Sequence, residues 1–208
     1  MPITSEGSWR KFFAEHPEAF EMPLFIVLEA LQHLHLVDTV LDLGAGPGRH
    51  GKLLAVQGMQ VHAIEQVAEL VSSLNQFGRD HDVALTAWQG DITEEINIGR
   101  YHLIVCTFVA HELSHEDGLR LVAKCKDHTM PGGLNVFVSW INEGALWDSV
   151  SDERRFFLRQ GELINIYADW ERIHYEECIR PTVRTGDDGL PLSNMAAFLL
   201  ARKPLNHQ

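Results

Sequence analysis

Three carboxylates stand where short apolar runs end. Asp42 lies in Val40-Leu41-Asp42-Leu43 and runs straight into Gly44-Ala45-Gly46-Pro47-Gly48-Arg49. Glu65 closes Val61-His62-Ala63-Ile64, and Asp91 follows the third run in Gln89-Gly90-Asp91-Ile92. The glycines allow backbone conformations closed to other residues and let a ligand approach the main chain. Asp42 can face the cationic ammonium of a bound amino acid. Glu65, about twenty residues beyond the glycines, can accept two hydrogen bonds from ribose hydroxyls. Asp91 can accept from an adenine amino group, with Ile92 against the ring. Ala45, Gln66 and Thr107 lie beside these positions and are assigned to the same ligand. The plainer readings are a solvated acid opening a helix for Glu65 and an N-cap for Asp91. Acids at the ends of three neighbouring strands nevertheless share one crevice, where open α/β sheets bind their ligands.

A second set of residues has chemistry to offer the same crevice. Thr107-Phe108-Val109-Ala110-His111-Glu112 follows the fourth run. His111 can orient a substrate or take a proton; its alternative is a structural or exposed histidine. Arg180 and Arg184 flank Pro181-Thr182-Val183, and arginines suit small oxyanions. Their alternative is a solvated rim. Trp9, Phe12 and Phe13 form either a lid over the site or part of the core.

Gly46-Pro47-Gly48-Arg49-His50-Gly51 also fits the G-x-G-x-x-G dinucleotide pattern. The register is poor. The first glycine of that motif directly follows its strand, and counting from Gly44 puts Arg49 where the third glycine belongs.

These residues need a scaffold of alternating strands and helices. A leading helix is expected over Glu18–Leu36 and strands over Thr39–Leu43, Gln60–Ile64, Val83–Trp88, Tyr101–Phe108 and Leu134–Trp140. Helices are expected up to Val56, over Gln66–Phe77 with Gly78 as cap, and over Asp117–Thr129. Arg172–Ile179 and Met195–Ala201 read as strands about the turn Thr185-Gly186-Asp187-Asp188-Gly189. Five β/α units followed by a terminal hairpin differ from a dinucleotide dehydrogenase, which continues into a second βαβαβ half.

Composition agrees with one globular α/β unit. The chain has 208 residues, 45% apolar and 22% charged. Residues 1–36 are expected to form a helical lid or cap and residues 37–208 the ligand-binding domain. No run approaches a membrane span, and no signal peptide is legible, so the expectation is a cytoplasmic protein. A net charge of −12 argues against a nucleic-acid substrate. Cys106, Cys125 and Cys178 show no ligand spacing, so neither a disulfide framework nor a metal site is expected.

With these residues in view the chain resembles the class I S-adenosylmethionine-dependent methyltransferases. Within them it looks like the TehB-type tellurite-resistance family. That likeness is carried by the glycine segment, Pro131-Gly132-Gly133, Gly161-Glu162-Leu163, Trp170-Glu171-Arg172, Arg184-Thr185 and Ala201-Arg202-Lys203. It runs from about Thr39 to Lys203. The resemblance implies a Rossmann-like fold with a seven-stranded, mostly parallel sheet, a C-terminal antiparallel hairpin and helices on both faces. It implies S-adenosylmethionine as donor, leaving S-adenosylhomocysteine, and a small-molecule acceptor such as tellurite, selenite or a thiol. Monomer and homodimer both fit. In that family a His-Arg pair near the C-terminal turn contributes to the substrate site; Arg184 matches the arginine, and Val183 stands in the histidine's place. A nicotinamide-dependent oxidoreductase and a non-catalytic S-adenosylmethionine-binding protein are the alternatives.

Overall fold

The computed structural model describes residues 6–16, 20–94, 99–150 and 155–205, with 6–10 described by their backbone alone. Strands β1 (Thr39–Leu43), β2 (Gln60–Glu65), β3 (Leu85–Gln89), β4 (Tyr101–Thr107), β5 (Thr129–Gly144), β6 (Glu171–Thr185) and β7 (Pro191–Arg202) form one sheet. Its order is β3-β2-β1-β4-β5-β7-β6. The strands from β3 to β5 pair in parallel, and β7 pairs antiparallel with both β5 and β6. This is the Rossmann-like class I methyltransferase fold, hairpin included.

Side chains alternate across each strand, and the core follows that period of two. Val40, Leu103, Val105, Val136 and Val138 face one cluster, while Leu41, Leu43, Ile104, Cys106 and Phe137 face another. Helices α2 (Phe25–Leu31), α3 (Arg49–Val56) and α4 (Ala68–Asp80) cover the first face through Ile26, Leu54 and Leu74. Helices α5 (His115–His128) and α7 (Glu162–Ile166) cover the second through Leu121, Val122 and Leu163. The remaining helices are α1 (Glu6–Glu15) and α6 (Ala145–Val150).

Several boundaries differ from expectation, each for a physical reason. The leading helix is only Phe25–Leu31; it begins after an extended Leu24, and Pro23 disfavours helical backbone at the residue before it. Residues 17–19, where that helix was expected to begin, lie outside the described residues. Ile26, Val27 and Ala30 of α2 are wholly buried. Gly78 does not end α4. A Cβ there would meet the carbonyl oxygen of Leu85 at 2.7 Å, so the glycine allows helix and strand to touch. Helix α5 starts at His115 because the Ser114 side chain accepts the Asp117 N–H. Strand β6 runs on to Thr185 because β7 stays paired with it beyond Ile179. Among the described residues no helix is long and apolar enough to cross a membrane.

The topology decides where chemistry gathers. Parallel strands β1 to β5 end on one edge of the sheet. Strand β7 starts on that edge, with Asn194 opposite Gly144, and β6 therefore ends there. Residues 180–184 are thus delivered to the same edge of the sheet as the ends of β1, β2, β3 and β4. The strand order reverses between β1 and β4, which is where a crevice opens in such sheets.

Candidate functional site

At this edge lies a cavity of about 560 Å³, within the usual range for small-molecule sites. Of the cofactor and substrate residues assigned from the sequence, all but Asp42 and Gly48 line it.

The glycine loop forms its floor. Gly44 and Gly46 hold φ of 64° and 56°, left-handed values that glycine adopts without strain. The amides of Gly44 and Ala45 both donate to the Ile64 carbonyl, at 2.9 and 3.1 Å. A Cβ on Gly44 would lie 2.5 Å from Val109 Cγ2, so only glycine lets the loop pass under the β4 end. Gly48 sits behind the loop as the left-handed N-cap of α3, at φ 89°.

Asp42 departs from its expected place. Its side chain turns to α3, where Oδ2 accepts the Gly51 N–H at 3.1 Å. The residue is 2% exposed. Burial pushes its carboxyl up to about 7, against the pull of the Gly51 amide and Arg49 and with a push from Glu65. A buried carboxyl outside the cavity and titrating near neutrality is poorly suited to receive a ligand's ammonium. Its position is set by strand alternation: Leu41 and Leu43 take the opposite face.

Glu65 lies at the cavity wall and is 4% exposed. Oε2 accepts the Gly46 N–H at 2.8 Å and Oε1 accepts the Val67 N–H at 2.9 Å. An ionised carboxylate has about four acceptor directions. Two remain after the amides are bound, enough for a pair of hydroxyls. Asp91 is exposed, and its Oδ1 accepts both the amide and the hydroxyl of Thr93 at 2.8 Å. That turn presents Asp91, Ile92 and Gly90 to the cavity across from Gln66.

Thr107 shares the site with a residue the sequence reading left aside. His50 receives the Leu24 N–H on Nε2 at 3.3 Å, and its Nδ1 lies 3.5 Å from Thr107 Oγ1. Burial, with Arg49 nearby, drops its pKa to about 3, so the ring is neutral. Since Nε2 accepts, Nδ1 carries the proton. His50 thereby ties the start of α2 to the end of β4. Its only sequence signal was its place in the first turn after the glycines.

Beyond Thr107 the chain turns through Ala110–Glu112, a single 3-10 turn. His111 is 9% exposed and its Nε2 lies 3.2 Å from Glu112 Oε1. Arg155 pairs with Glu112 Oε2, and Arg184 reaches Oε1 at 3.7 Å. Burial raises the Glu112 carboxyl, but His111, Arg155 and Arg184 outweigh it and hold it below the usual range. Sequence reading found His111 and Arg184 but missed Glu112 and Arg155, which meet only in the folded chain. Arg155 lies in the segment 142–160, and among its described residues only Leu146 lines the cavity. Backbone bonds from Phe156 N–H to Leu113, just ahead of α5, and from Leu158 N–H to Trp140 of β5 pin the segment there. Residues 151–154 lie outside the described residues.

Rings complete the walls. Phe108 and Trp140 approach at 4.4 Å between centroids, and Phe25 and Phe198 at 5.3 Å. Phe12 and Phe13 line the cavity from α1, with Phe13 Cζ 3.2 Å from where a Cβ on Gly46 would be. The side chain of Trp9 lies outside those described.

Comparison with known proteins agrees with this geometry. The family described as "Tellurite resistance protein TehB" matches residues 20–198. "Hemagglutinin 1" of Eikenella corrodens is 29% identical over 178 residues, 86% of this chain and 58% of that protein. "Probable S-adenosyl-L-methionine-dependent methyltransferase TehB" of Haemophilus influenzae is 27% identical over 164 residues, 79% of this chain and 57% of that one. The crystal structure of TehB from H. influenzae superposes with a TM-score of 0.77 at 26% identity, covering 87% of this chain and 62% of that chain. The chain thus spans less than two thirds of the length of these relatives. With the family model matched across most of the chain and the H. influenzae fold reproduced, the chain belongs to the TehB family.

Proposed function

We propose that this chain binds S-adenosylmethionine and transfers its methyl group to a small molecule, a chalcogen oxyanion such as tellurite or selenite, or a thiol. The observation that carries the reading is Glu65: a buried carboxylate at the end of β2, fixed by two amides and open to the cavity beside the glycine loop. A nucleoside ribose fits its two free acceptor directions. Asp91 and Ile92 suit an adenine, and Gly44 to Gly46 allow the amino-acid end to lie close to the backbone. Gln66 and Thr107 border the same space. The antiparallel hairpin, where a dehydrogenase would continue in parallel, argues against a nicotinamide cofactor.

S-adenosylmethionine supplies a methyl group already activated by its sulfonium charge. The protein's task is then placement and exclusion of water. The glycine loop and Glu65 fix the donor side. His111, Glu112 and Arg184 border the acceptor side, where Arg184 can gather an anion. Asp42 acts behind the loop by holding the first turn of α3.

The test is acceptor-dependent formation of S-adenosylhomocysteine, followed by mass spectrometry with tellurite, selenite and thiols. The reading expects turnover with at least one of them. Binding of S-adenosylhomocysteine without any turnover would leave a non-catalytic binder.

A further inference from the structure

We infer that the acceptor is an organic acid with an aromatic or bulky apolar body, the body seated on Leu24, Phe25 and Phe108 and the acidic group held by Arg180 and Arg184. This rests on the methyl-transfer reading above and names the acceptor class of that same site.

The lining divides along the strand order. Ends of β1, β2 and β3 supply the glycine loop, Glu65 and Asp91, which make the donor half. The start of α2 with β4, β5, β6 and β7 supplies the other half. Much of its accessible surface is apolar: Phe25 is 38% exposed, and Leu24 and Phe108 are half-buried. Two buried rings back this wall, Trp140 at 4.4 Å from Phe108 and Phe198 at 5.3 Å from Phe25. Phe108 holds φ 53°, a conformation that bulky residues avoid. Backbone strain of this kind gathers at ligand sites, where the surrounding structure enforces it. Such a wall binds by taking a ligand's apolar surface out of water, and a hydrated inorganic oxyanion has none to give.

Strand β6 sets two cations into the same half. Arg180 and Arg184 both line the cavity, and both are half-buried. The Arg180 guanidinium lies 5.2 Å from the centre of the Phe198 ring and 6.0 Å from that of Phe25, so charge and wall are in contact. Its ion pair is with Glu176 at 3.2 Å, and about two fifths of each side chain is exposed. A pair so open to water is weak and readily exchanged. Arg184 stands 3.7 Å from Glu112 Oε1, beyond hydrogen-bond length. Glu112 has nearer partners: His111 Nε2 lies 3.2 Å from Oε1, and Arg155 pairs with Oε2.

A guanidinium carries five N–H donors in a fixed fork. These loose pairs leave both arginines with donors for a ligand, and a carboxylate takes two of them side by side. An acidic group attached to an apolar body therefore meets both features at once. A bare oxyanion meets the arginines alone, and a neutral apolar molecule meets the wall alone. The acid is the handle that orients the acceptor beside the donor half.

The experiment measures binding of phenylacetate to the protein saturated with S-adenosylhomocysteine, by ligand-observed nuclear magnetic resonance. Acetate, 2-phenylethanol and tellurite serve as competitors, on wild type, Arg180→Gln, Arg180→Lys and Phe25→Ala. Binding of S-adenosylhomocysteine itself is recorded by calorimetry for each protein. Wild type is expected to bind phenylacetate without releasing S-adenosylhomocysteine. It should hold phenylacetate about tenfold or more tighter than 2-phenylethanol, acetate or tellurite. Arg180→Gln should weaken phenylacetate by about tenfold and leave 2-phenylethanol unchanged, and Arg180→Lys should restore most of the loss. Phe25→Ala should weaken both ring-bearing ligands and leave acetate alone. Failure of phenylacetate to bind, or its displacement of S-adenosylhomocysteine, would overturn the inference. Acetate or tellurite binding as tightly as phenylacetate would do the same, as would equal loss of both ring-bearing ligands in Arg180→Gln. If wild type binds S-adenosylhomocysteine and the preference is absent, this inference alone fails; if it does not bind, the methyl-transfer reading fails as well.

Discussion

Gly46 donates its amide hydrogen to Glu65 Oε2 across 2.8 Å, joining the glycine loop to the end of β2. The same carboxylate takes the Val67 amide on its other oxygen, just before α4 begins. One side chain therefore fixes two turns and still faces the cavity. That arrangement makes the site rigid before any ligand arrives.

Asp42 gives the fold a pH dependence. Its carboxyl titrates near 7 in the folded chain and at about 4 when unfolded. Between those values the folded state holds a proton that the unfolded state has lost, so stability falls as pH rises from about 4 to about 7. Asp42→Asn should remove this component. Urea unfolding at pH 5 and pH 8 checks it: the wild type should lose more stability across the interval than the variant. Equal losses would contradict the burial of a protonated Asp42.

His50 acts with the opposite sign. Its pKa of about 3 in the folded chain lies below the unfolded value of about 6.5. The unfolded chain takes up the proton first, so stability falls as pH drops from about 6.5 to about 3. His50→Phe should flatten this window. It should also cost about 1–3 kcal/mol at pH 7, because the Leu24 amide loses its acceptor. Chemical denaturation from pH 4 to 7 reads both effects.

Gly48→Ala should act on stability rather than on binding. The residue lies outside the cavity at φ 89°, and a Cβ would meet Leu74 Cδ2 at 2.2 Å. A loss of about 1–3 kcal/mol is expected from the strained conformation. Thermal unfolding measures it. S-adenosylhomocysteine affinity of the folded variant should be unchanged; a selective loss of affinity would assign Gly48 to the ligand.

Phe13 tests the proposed cover over the site. It packs edge-on to Phe20 at 4.9 Å and stands over Gly46 at the cavity wall. Phe13→Ala should speed release of S-adenosylhomocysteine, with association little changed. Stopped-flow displacement would show this, and an unchanged release rate would leave α1 without a part in retention.

Much of this was legible in the chain. Apolar runs such as Leu103-Ile104-Val105-Cys106 read as buried strands, and Thr185-Gly186-Asp187-Asp188-Gly189 reads as a turn. Those two signals fix the sheet and the hairpin. Glycine roles were harder to separate: Gly78 looks like a cap in sequence and proves to be a contact point with Leu85. Alternation along β1 turned Asp42 inward, which a motif read as a string of letters does not reveal. Arg155 and Glu112 are 43 residues apart, and only the docking of segment 155–158 on Leu113 and β5 brings them together. His50 likewise depends on α2 folding over it.

The central claim is a donor site built on Glu65. Calorimetry with S-adenosylmethionine and S-adenosylhomocysteine, on wild type and Glu65→Ala, addresses it most directly. Charged hydrogen bonds of about 1.5–3 kcal/mol each imply a loss of at least about tenfold per ribose contact. The account expects clear binding of both ligands by wild type and none, or far weaker, by Glu65→Ala. Absence of binding in the wild-type chain, or equal affinity in the variant, would contradict it.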